Sequence, residues 1–404
     1  MEFSVAEMFG ASAMIASSGM PGLRLFAVQK NGSGTRLPDI KASQYGERGW
    51  VASSPATACG AEYGNSQDYC EPHCAYSPIP AFDRPTWGYF SAVCLVHGMR
   101  LLNETGRPQG LIESAWGGSE IELWSSQESR AKCPSTWCPG WPVRGRCPRD
   151  GLYFAGMIAP LVHMPIRGAL WFQGEANSAT YGAPTGDVRS ANHYSCQLEA
   201  LISDWRSRWY RSANMSWGVV QLAPAGDASE GTLRWAQSNV VSATARAYLA
   251  VTIDLYDKHS PCGAVHIRNK TAVANRLAVG TLASMNPNKT GAVAASNGGP
   301  VPMAAFTWPT IRFSVQLELR GVVGMTIAGA LHGNFETTSI ARPGNASDIW
   351  GGWEAVKQVS VVGNEITMHT TDSRSETAMG GVMAVKGIRC AYCSSLARRR
   401  FPFL

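Results

Sequence analysis

Five short apolar runs, each followed by a polar or glycine-rich stretch, constrain this chain more than any other feature. They occupy residues 25–29, 110–115, 168–173, 217–223 and 247–254. Apolar residues recur at helical spacing near 87–103, 152–162, 192–210, 232–244 and 266–284, with Val273, Leu277 and Thr281 four residues apart in the last. Parallel strands need a crossover long enough for a helix, and a sheet covered on both faces has strands that read as continuous apolar runs. The alternation therefore predicts an α/β fold, a doubly wound parallel sheet with helices on both faces.

Beyond residue 285 the texture changes. Glycine and asparagine punctuate shorter segments that alternate with period two, at 311–319, 359–362 and 382–385. That pattern predicts a β-rich second domain. With 404 residues and 45% hydrophobic content, the chain is long enough for both. The expected division is an α/β domain over 1–285 and a β-rich domain and tail over 286–404, joined through an Asn-, Gly- and Pro-rich stretch at 286–302.

Composition narrows the function. The net charge of +6 is modest, and the basic residues are scattered except for Arg398, Arg399 and Arg400. That triplet reads as a solvated tail, so no nucleic-acid partner is expected. The apolar stretch 321–332 is too short to cross a membrane, and a soluble chain is expected. Eleven cysteines and the sequons at Asn31, Asn103, Asn214, Asn269, Asn288 and Asn345 point to an oxidising compartment. The N-terminus has neither a basic start nor an apolar block, so it is no signal peptide. Cys70, His73 and Cys74 lack a second pair at zinc-finger spacing, and Cys390 with Cys393 lies outside a redox setting. Loop disulfides are expected instead of a metal site.

Four polar motifs stand at the ends of the predicted strands: Ser114 with Trp116-Gly117-Gly118, Gln173-Gly174-Glu175, Gln221, and Asp254. In open α/β sheets ligands bind at the carboxyl ends of strands, so four such placements suggest one site. Ester hydrolysis needs a nucleophile, a base and donors aimed at the developing oxyanion. Gly117 and Gly118 lack a Cβ, and their backbone N–H groups can approach a substrate oxygen. Gln173 or Asn177 could add a side-chain N–H, and Glu175 could orient neighbours or bind substrate hydroxyls. His266 is expected to open the last helix after a long loop and to act as general base, with Asp254 or Asp257 as its carboxylate. Ser114 is a weak nucleophile candidate, because Ala-Trp-Gly-Gly follows it where a Gly-x-Ser-x-Gly elbow would be needed.

Taken together, Gly110-Leu-Ile-Glu-Ser-Ala-Trp-Gly-Gly118, Trp171-Phe-Gln-Gly-Glu-Ala-Asn177, Asp254 to Lys270 with its Ser-Pro-x-Gly-x-x-His core, and the helix near 87–102 resemble the sialate O-acetylesterases of the SGNH hydrolases. The resemblance implies a three-layer α/β/α fold and serine-dependent removal of acetyl groups from sialic acids or other acetylated sugars. It also implies a secreted or lysosomal glycoprotein that needs no metal or organic cofactor. In that family a Gly-Gln-Ser-Asn block directly precedes a position like Met1, so the nucleophile is expected before Met1 and the chain is expected to be an inactive fragment. The strand leading to that block would lie beside the strand at 25–29, and its loss would leave an unpaired row of backbone groups there. Two departures stand out. Ile267 replaces the family's proline after the histidine, and Gly263 stands where the commoner SGNH spacing has an aspartate.

Two rival readings use the same residues. One is a glycan-binding protein that has kept the pocket without a nucleophile. The other is an acetyl esterase acting on plant polysaccharides.

Overall fold

The computed structural model describes residues 3–40, 49–59, 90–133, 150–178, 189–210, 215–223, 228–252, 255–257, 259, 260, 263, 264 and 266–285, together with the backbone of seven strands between 301 and 390. The chain divides into two compact units, Met1–Asn297 and Gly298–Leu404.

The first unit mixes helices with parallel strands. β1 (Leu23–Ala27), β2 (Val51–Ala52) and β3 (Gln109–Glu113) form a sheet in the order β2-β1-β3. β1 runs parallel to β3, with Leu23 opposite Gln109 and Ala27 opposite Glu113. β4 (Gly168–Trp171), β5 (Ser216–Gln221) and β6 (Ala247–Val251) form a second, wholly parallel sheet in the order β4-β5-β6. Each of the five predicted strands is present, and each ends two or three residues before its apolar run does. Ser114, Trp116-Gly117-Gly118 and Gln173-Gly174-Glu175 therefore lie in the loops beyond β3 and β4, while Gln221 is the last residue of β5. The unpaired row expected beside the first strand is not found. β1 is hydrogen bonded on both edges, by β2 on one side and directly by β3 on the other.

Among the described residues seven α-helices accompany these strands: α1 (Ala11–Ala16), α2 (Pro55–Cys59), α3 (Ala92–Thr105), α4 (Gln127–Lys132), α5 (Arg189–Arg208), α6 (Ala228–Ala243) and α7 (Lys270–Met285). The Ser91 hydroxyl caps α3 by accepting from the Cys94 N–H at 3.4 Å, and the helix stops at Gly106, whose N–H returns to Leu102 O at 2.8 Å. α3 packs against β3 and α7, while α6 and α7 pack against β5 and β6. On α7 the predicted stripe Val273, Leu277 and Thr281 is buried.

Two helix expectations are corrected. The segment 152–162 is a π turn (Phe154–Ile158) running into a 3₁₀ turn (Ala159–Leu161). Pro160 has no N–H to continue a ladder, and Gly156 is pressed against the Asn31 carbonyl, so a regular α-helix is not formed. α7 starts at Lys270, not at His266, because Asn269 Oδ1 accepts from the Ala272 N–H at 3.2 Å and so caps the first turn.

Much of the core is aromatic. Trp171 meets Trp124 and Trp205 edge to face at 6.5 and 6.1 Å, and Trp205 meets Trp217 at 5.3 Å. The Trp171, Trp205 and Trp209 indoles donate to Tyr194 Oη, Trp124 O and Met164 O respectively. Trp171, Trp205 and Trp209 are thus packing residues whose polar edge is satisfied inside the protein, whereas the buried Trp217 Nε1 has no partner among the described residues. A disulfide joins Cys133, at the end of α4, to Cys196 on α5.

In the second unit, β7 (Val301–Trp308), β8 (Phe313–Arg320), β11 (Gln358–Val362) and β12 (Glu365–Thr370) pair antiparallel in the order β11-β12-β8-β7. β9 (Phe335–Ser339) pairs antiparallel with β10 (Glu354–Ala355) and with β13 (Val385–Cys390).

Candidate active site

The loops after β3 and β4 are tied together by side-chain amides. Gln173 Nε2 donates to Ser119 O at 3.0 Å and to Asn177 Oδ1 at 2.7 Å, while its Oε1 accepts from the Tyr194 hydroxyl at 2.8 Å. Asn177 Oδ1 also accepts from the Ile121 N–H at 2.9 Å, and its Nδ2 donates to Glu122 Oε2 at 3.0 Å. Gln197 Nε2 holds the other Glu122 oxygen at 2.7 Å, and Gln237 bridges the Leu222 N–H and the Gln173 carbonyl. Burial pushes the Tyr194 phenol well above its ordinary range, so it stays protonated as a donor. Gly174 makes this arrangement possible. Its φ of 142° suits glycine, and a Cβ there would stand 2.6 Å from the Leu233 side chain.

Gln173 and Asn177, expected to offer a side-chain N–H to an oxyanion, have their amides bonded within the protein in this structure. Both amide hydrogens of Gln173 are engaged, and Asn177 is only 3% exposed with its amide turned to Glu122. A donor already bonded to a buried acceptor cannot turn to substrate without orphaning that acceptor. The two amides instead fix the relative position of the two loops. Their partners Glu122, Tyr194, Gln197 and Gln237 escaped sequence reasoning, because they come from a turn and two helices with no local motif.

The turn after β3 presents Gly117 and Gly118 to solvent. Among the described residues neither N–H has a partner. The turn is held from behind: Trp116 stacks on Tyr153 at 4.5 Å, and Ser119 Oγ donates to Trp116 O while accepting from Trp124 Nε1. Ser114 Oγ donates to Met157 O at 3.2 Å, so its hydroxyl is directed to a backbone carbonyl and not to an imidazole.

His266 is part-buried in a tight turn, where its N–H donates to Gly263 O and its carbonyl accepts from Ser260 Oγ. Its ring lies 6.4 Å from that of Phe3, nearly parallel. Gly263 has a φ of 92°, and a Cβ built there would come within 3.8 Å of His266 Nδ1. Asp257 is held by Arg268, with Nε donating to Oδ2 at 2.6 Å and Nη2 to Oδ1 at 3.0 Å. Those bonds hold the Asp257 carboxyl below its usual range. Asp254 lies outside the described residues.

Lys270 links this turn to the β4 edge. It is fully buried, and its Nζ stands 4.3 Å from the Phe3 ring centroid and 4.9 Å from that of Phe172, just beyond β4. Burial pulls its pKa down to about 7, against the opposing charges of Glu175, Glu7 and Asp257. The Glu175 carboxylate is part-exposed and bonded to none of the described residues. Phe3, Lys270 and Phe172 thus connect the His266 turn with the Gln173–Asn177 loop, and Gln173 connects that loop with the Gly117–Gly118 turn.

Residues 90–279 match the sequence profile of the carbohydrate esterases described as sialic acid-specific acetylesterases. That span includes the Gly117–Gly118 turn, the Gln173–Asn177 loop and His266. Over that span, just under half of its length, the chain is similar to the sialate O-acetylesterases. The human sialate O-acetylesterase is 33% identical over 219 residues, which cover 48% of this chain and 39% of that protein. The rat sialate O-acetylesterase is 27% identical over 330 residues, covering 70% of this chain and 54% of that protein. The matched region thus spans about two fifths to one half of these relatives. A crystal structure of a carbohydrate acetylesterase from Xanthomonas citri shares the fold, with a TM-score of 0.65 at 22% identity, over 98% of this chain and 73% of that one. Among the described residues no helix is long and apolar enough to cross a membrane.

Proposed function

We propose that this chain is a member of the sialate O-acetylesterase family and carries the histidine and oxyanion-binding portions of a site that hydrolyses O-acetyl esters on sialic acids or related sugars. The observation that carries the reading is the pair of N–H groups at Gly117 and Gly118 that have no partner among the described residues, in a turn connected through Gln173, Phe172, Lys270 and Phe3 to the turn of His266. In this reading the two N–H groups stabilise the oxyanion of the tetrahedral intermediate. His266 takes the proton from a serine and returns it to the departing sugar hydroxyl. The serine is the one that the family's Gly-Gln-Ser-Asn block provides. With Asp257 committed to Arg268, the carboxylate partner of His266 is Asp254, or the site works as a Ser-His dyad.

The chemistry asks for no metal or organic cofactor. The finer architecture proposed is a three-layer α/β/α domain over 1–285 with a β-rich domain over 286–404. The Cys133–Cys196 disulfide supports a secreted or lysosomal location.

The test is acetate release by the full-length native protein, using O-acetylated N-acetylneuraminic acid and acetylated xylan, together with labelling by a serine-directed fluorophosphonate. Acetate release with the label on a serine of a Gly-Gln-Ser-Asn block is the expected result. A label on Ser114 would overturn the proposed nucleophile. Binding of sialosides without acetate release would favour a pseudoenzyme, and release from xylan alone would reassign the substrate.

A further inference from the structure

Arg268, two residues beyond His266, is immobilised in a way that a simple ion pair does not require. Its Nε and Nη2 donate to both oxygens of Asp257, and Nη2 also donates to the His259 carbonyl at 3.3 Å. The guanidinium carbon lies 4.4 Å from the centroid of the Phe9 ring, and the Phe9 N–H donates to the Arg268 carbonyl at 3.0 Å. Three of the five guanidinium hydrogens are thereby engaged and the plane is fixed. Nη1 donates to none of the described residues, so its two hydrogens remain, and the side chain keeps 24% of its exposure.

The surroundings suit a sugar. Phe9 is 53% exposed and Tyr256 is 39% exposed, both unusually open for aromatic residues, and they adjoin the two members of the ion pair. Two residues of chain span at most about 7 Å, so Arg268 lies within a sugar ring's reach of His266. The Asp257 carboxylate offsets the charge of Arg268, which leaves directional N–H donors with little net field for an anion.

We infer that Arg268 is a substrate-binding residue whose Nη1 donates to an uncharged oxygen of the acetylated sugar, a hydroxyl or amide oxygen, while Asp257 and Phe9 hold the guanidinium in place. The inference rests on the proposed function and adds a recognition contact that favours no particular charge on the substrate. A preorganised donor loses little entropy on binding, so one such contact changes affinity by roughly 3- to 10-fold.

The experiment is ligand-observed NMR titration of the full chain with two probes that carry no ester: the α-methyl glycoside of N-acetylneuraminic acid and methyl β-xyloside. Both glycosides are expected to bind, with affinities within about 3-fold of each other and little changed by salt. Arg268→Lys, which keeps the charge beside Asp257 but removes the fork, is expected to weaken both about 3- to 10-fold. Phe9→Leu, at an exposed position that the fold tolerates, is expected to weaken them by a smaller factor, and it keeps the test valid where Arg268→Lys fails to fold. Unchanged affinity in a folded Arg268→Lys protein, or in Phe9→Leu where that variant alone folds, would overturn the inference. So would binding of neither glycoside, or salt-sensitive binding of the sialoside alone. Acetate release is not part of this readout, so failure of the esterase reading would show separately.

Discussion

The Nζ of Lys270 sits 4.3 Å from the centroid of the Phe3 ring, the same ring that lies 6.4 Å from His266, and no hydrogen-bond acceptor reaches it among the described residues. An ammonium buried against aromatic faces with no hydrogen-bond acceptor is costly to charge, and the more distant carboxylates of Glu175, Glu7 and Asp257 offset only part of that cost. The folded-state pKa of about 7 lies below the ordinary value of 10.5, so between those values the unfolded chain binds more protons than the folded one. Stability contributed by this residue therefore rises with pH from about 7 to 10.5, and the penalty is fully present below 7. Its size is on the order of a few kcal/mol. Lys270→Met is expected to unfold at higher denaturant than the parent at pH 6 and to lose the advantage by pH 10. Parallel midpoints for the two proteins across that range would disprove it.

A carboxylate introduced at position 263 should reach the imidazole. The Cβ direction of Gly263 points to within 3.8 Å of His266 Nδ1, and this is the place where the commoner spacing of the superfamily has an aspartate. Gly263→Asp is expected to produce a downfield, slowly exchanging Nδ1–H proton resonance for His266, since an Asp–His hydrogen bond fixes that tautomer. The φ of 92° opposes any side chain, and thermal stability is expected to fall by roughly 1–2 kcal/mol. A variant that loses stability without gaining the resonance would show that the carboxylate turns away.

Asn177 is expected to matter for stability more than for chemistry. Its side chain holds the Ile121 N–H, the Gln173 amide and one oxygen of Glu122. Asn177→Ala leaves those groups short of a partner in a buried setting, at a cost of roughly 2–4 kcal/mol. Denaturant unfolding of the variant tests this. A change below about 0.5 kcal/mol would mean that solvent replaces the amide, and the loops would then not depend on it.

How much of this was legible in the sequence depends on how local the cause is. The strands could be read because parallel strands buried on both faces are apolar throughout, and the motif residues beyond them fell where the runs stop. The helix start near His266 was misplaced because the cap is Asn269, three residues into what looked like a continuous helical pattern. Roles were harder to read. Gln173 looked like a free donor because its partners Ser119 and Tyr194 are 54 and 21 residues away in sequence. Asp257 was a candidate partner of His266 because its ion pair with Arg268, eleven residues on, has no local signature, and nothing in the sequence marks Lys270 as buried, since lysines usually lie at the surface.

The Cys133–Cys196 bridge closes 63 residues of chain, and that loop contains β4, the Gln173–Asn177 turn and the start of α5. Closing such a loop removes unfolded-state entropy worth about 4 kcal/mol in the chain-entropy treatment, more than any single hydrogen bond of the amide network contributes. The pair of substitutions Cys133→Ser and Cys196→Ser is therefore expected to lower stability by up to that amount, and each single substitution to do at least as much while freeing one thiol. Cys94 should not interfere by exchanging into the bridge. Burial, reinforced by the Glu113 carboxylate, pushes its thiol up to about 12, so almost none of it is thiolate near pH 8. Alkylation with iodoacetamide at pH 8 in the native state is expected to spare Cys94 and to leave the bridge intact. Denaturant midpoints for the double variant equal to those of the parent would show that the loop is already confined in the unfolded chain, and rapid native-state labelling of Cys94 would show that α3 opens readily at its first turn.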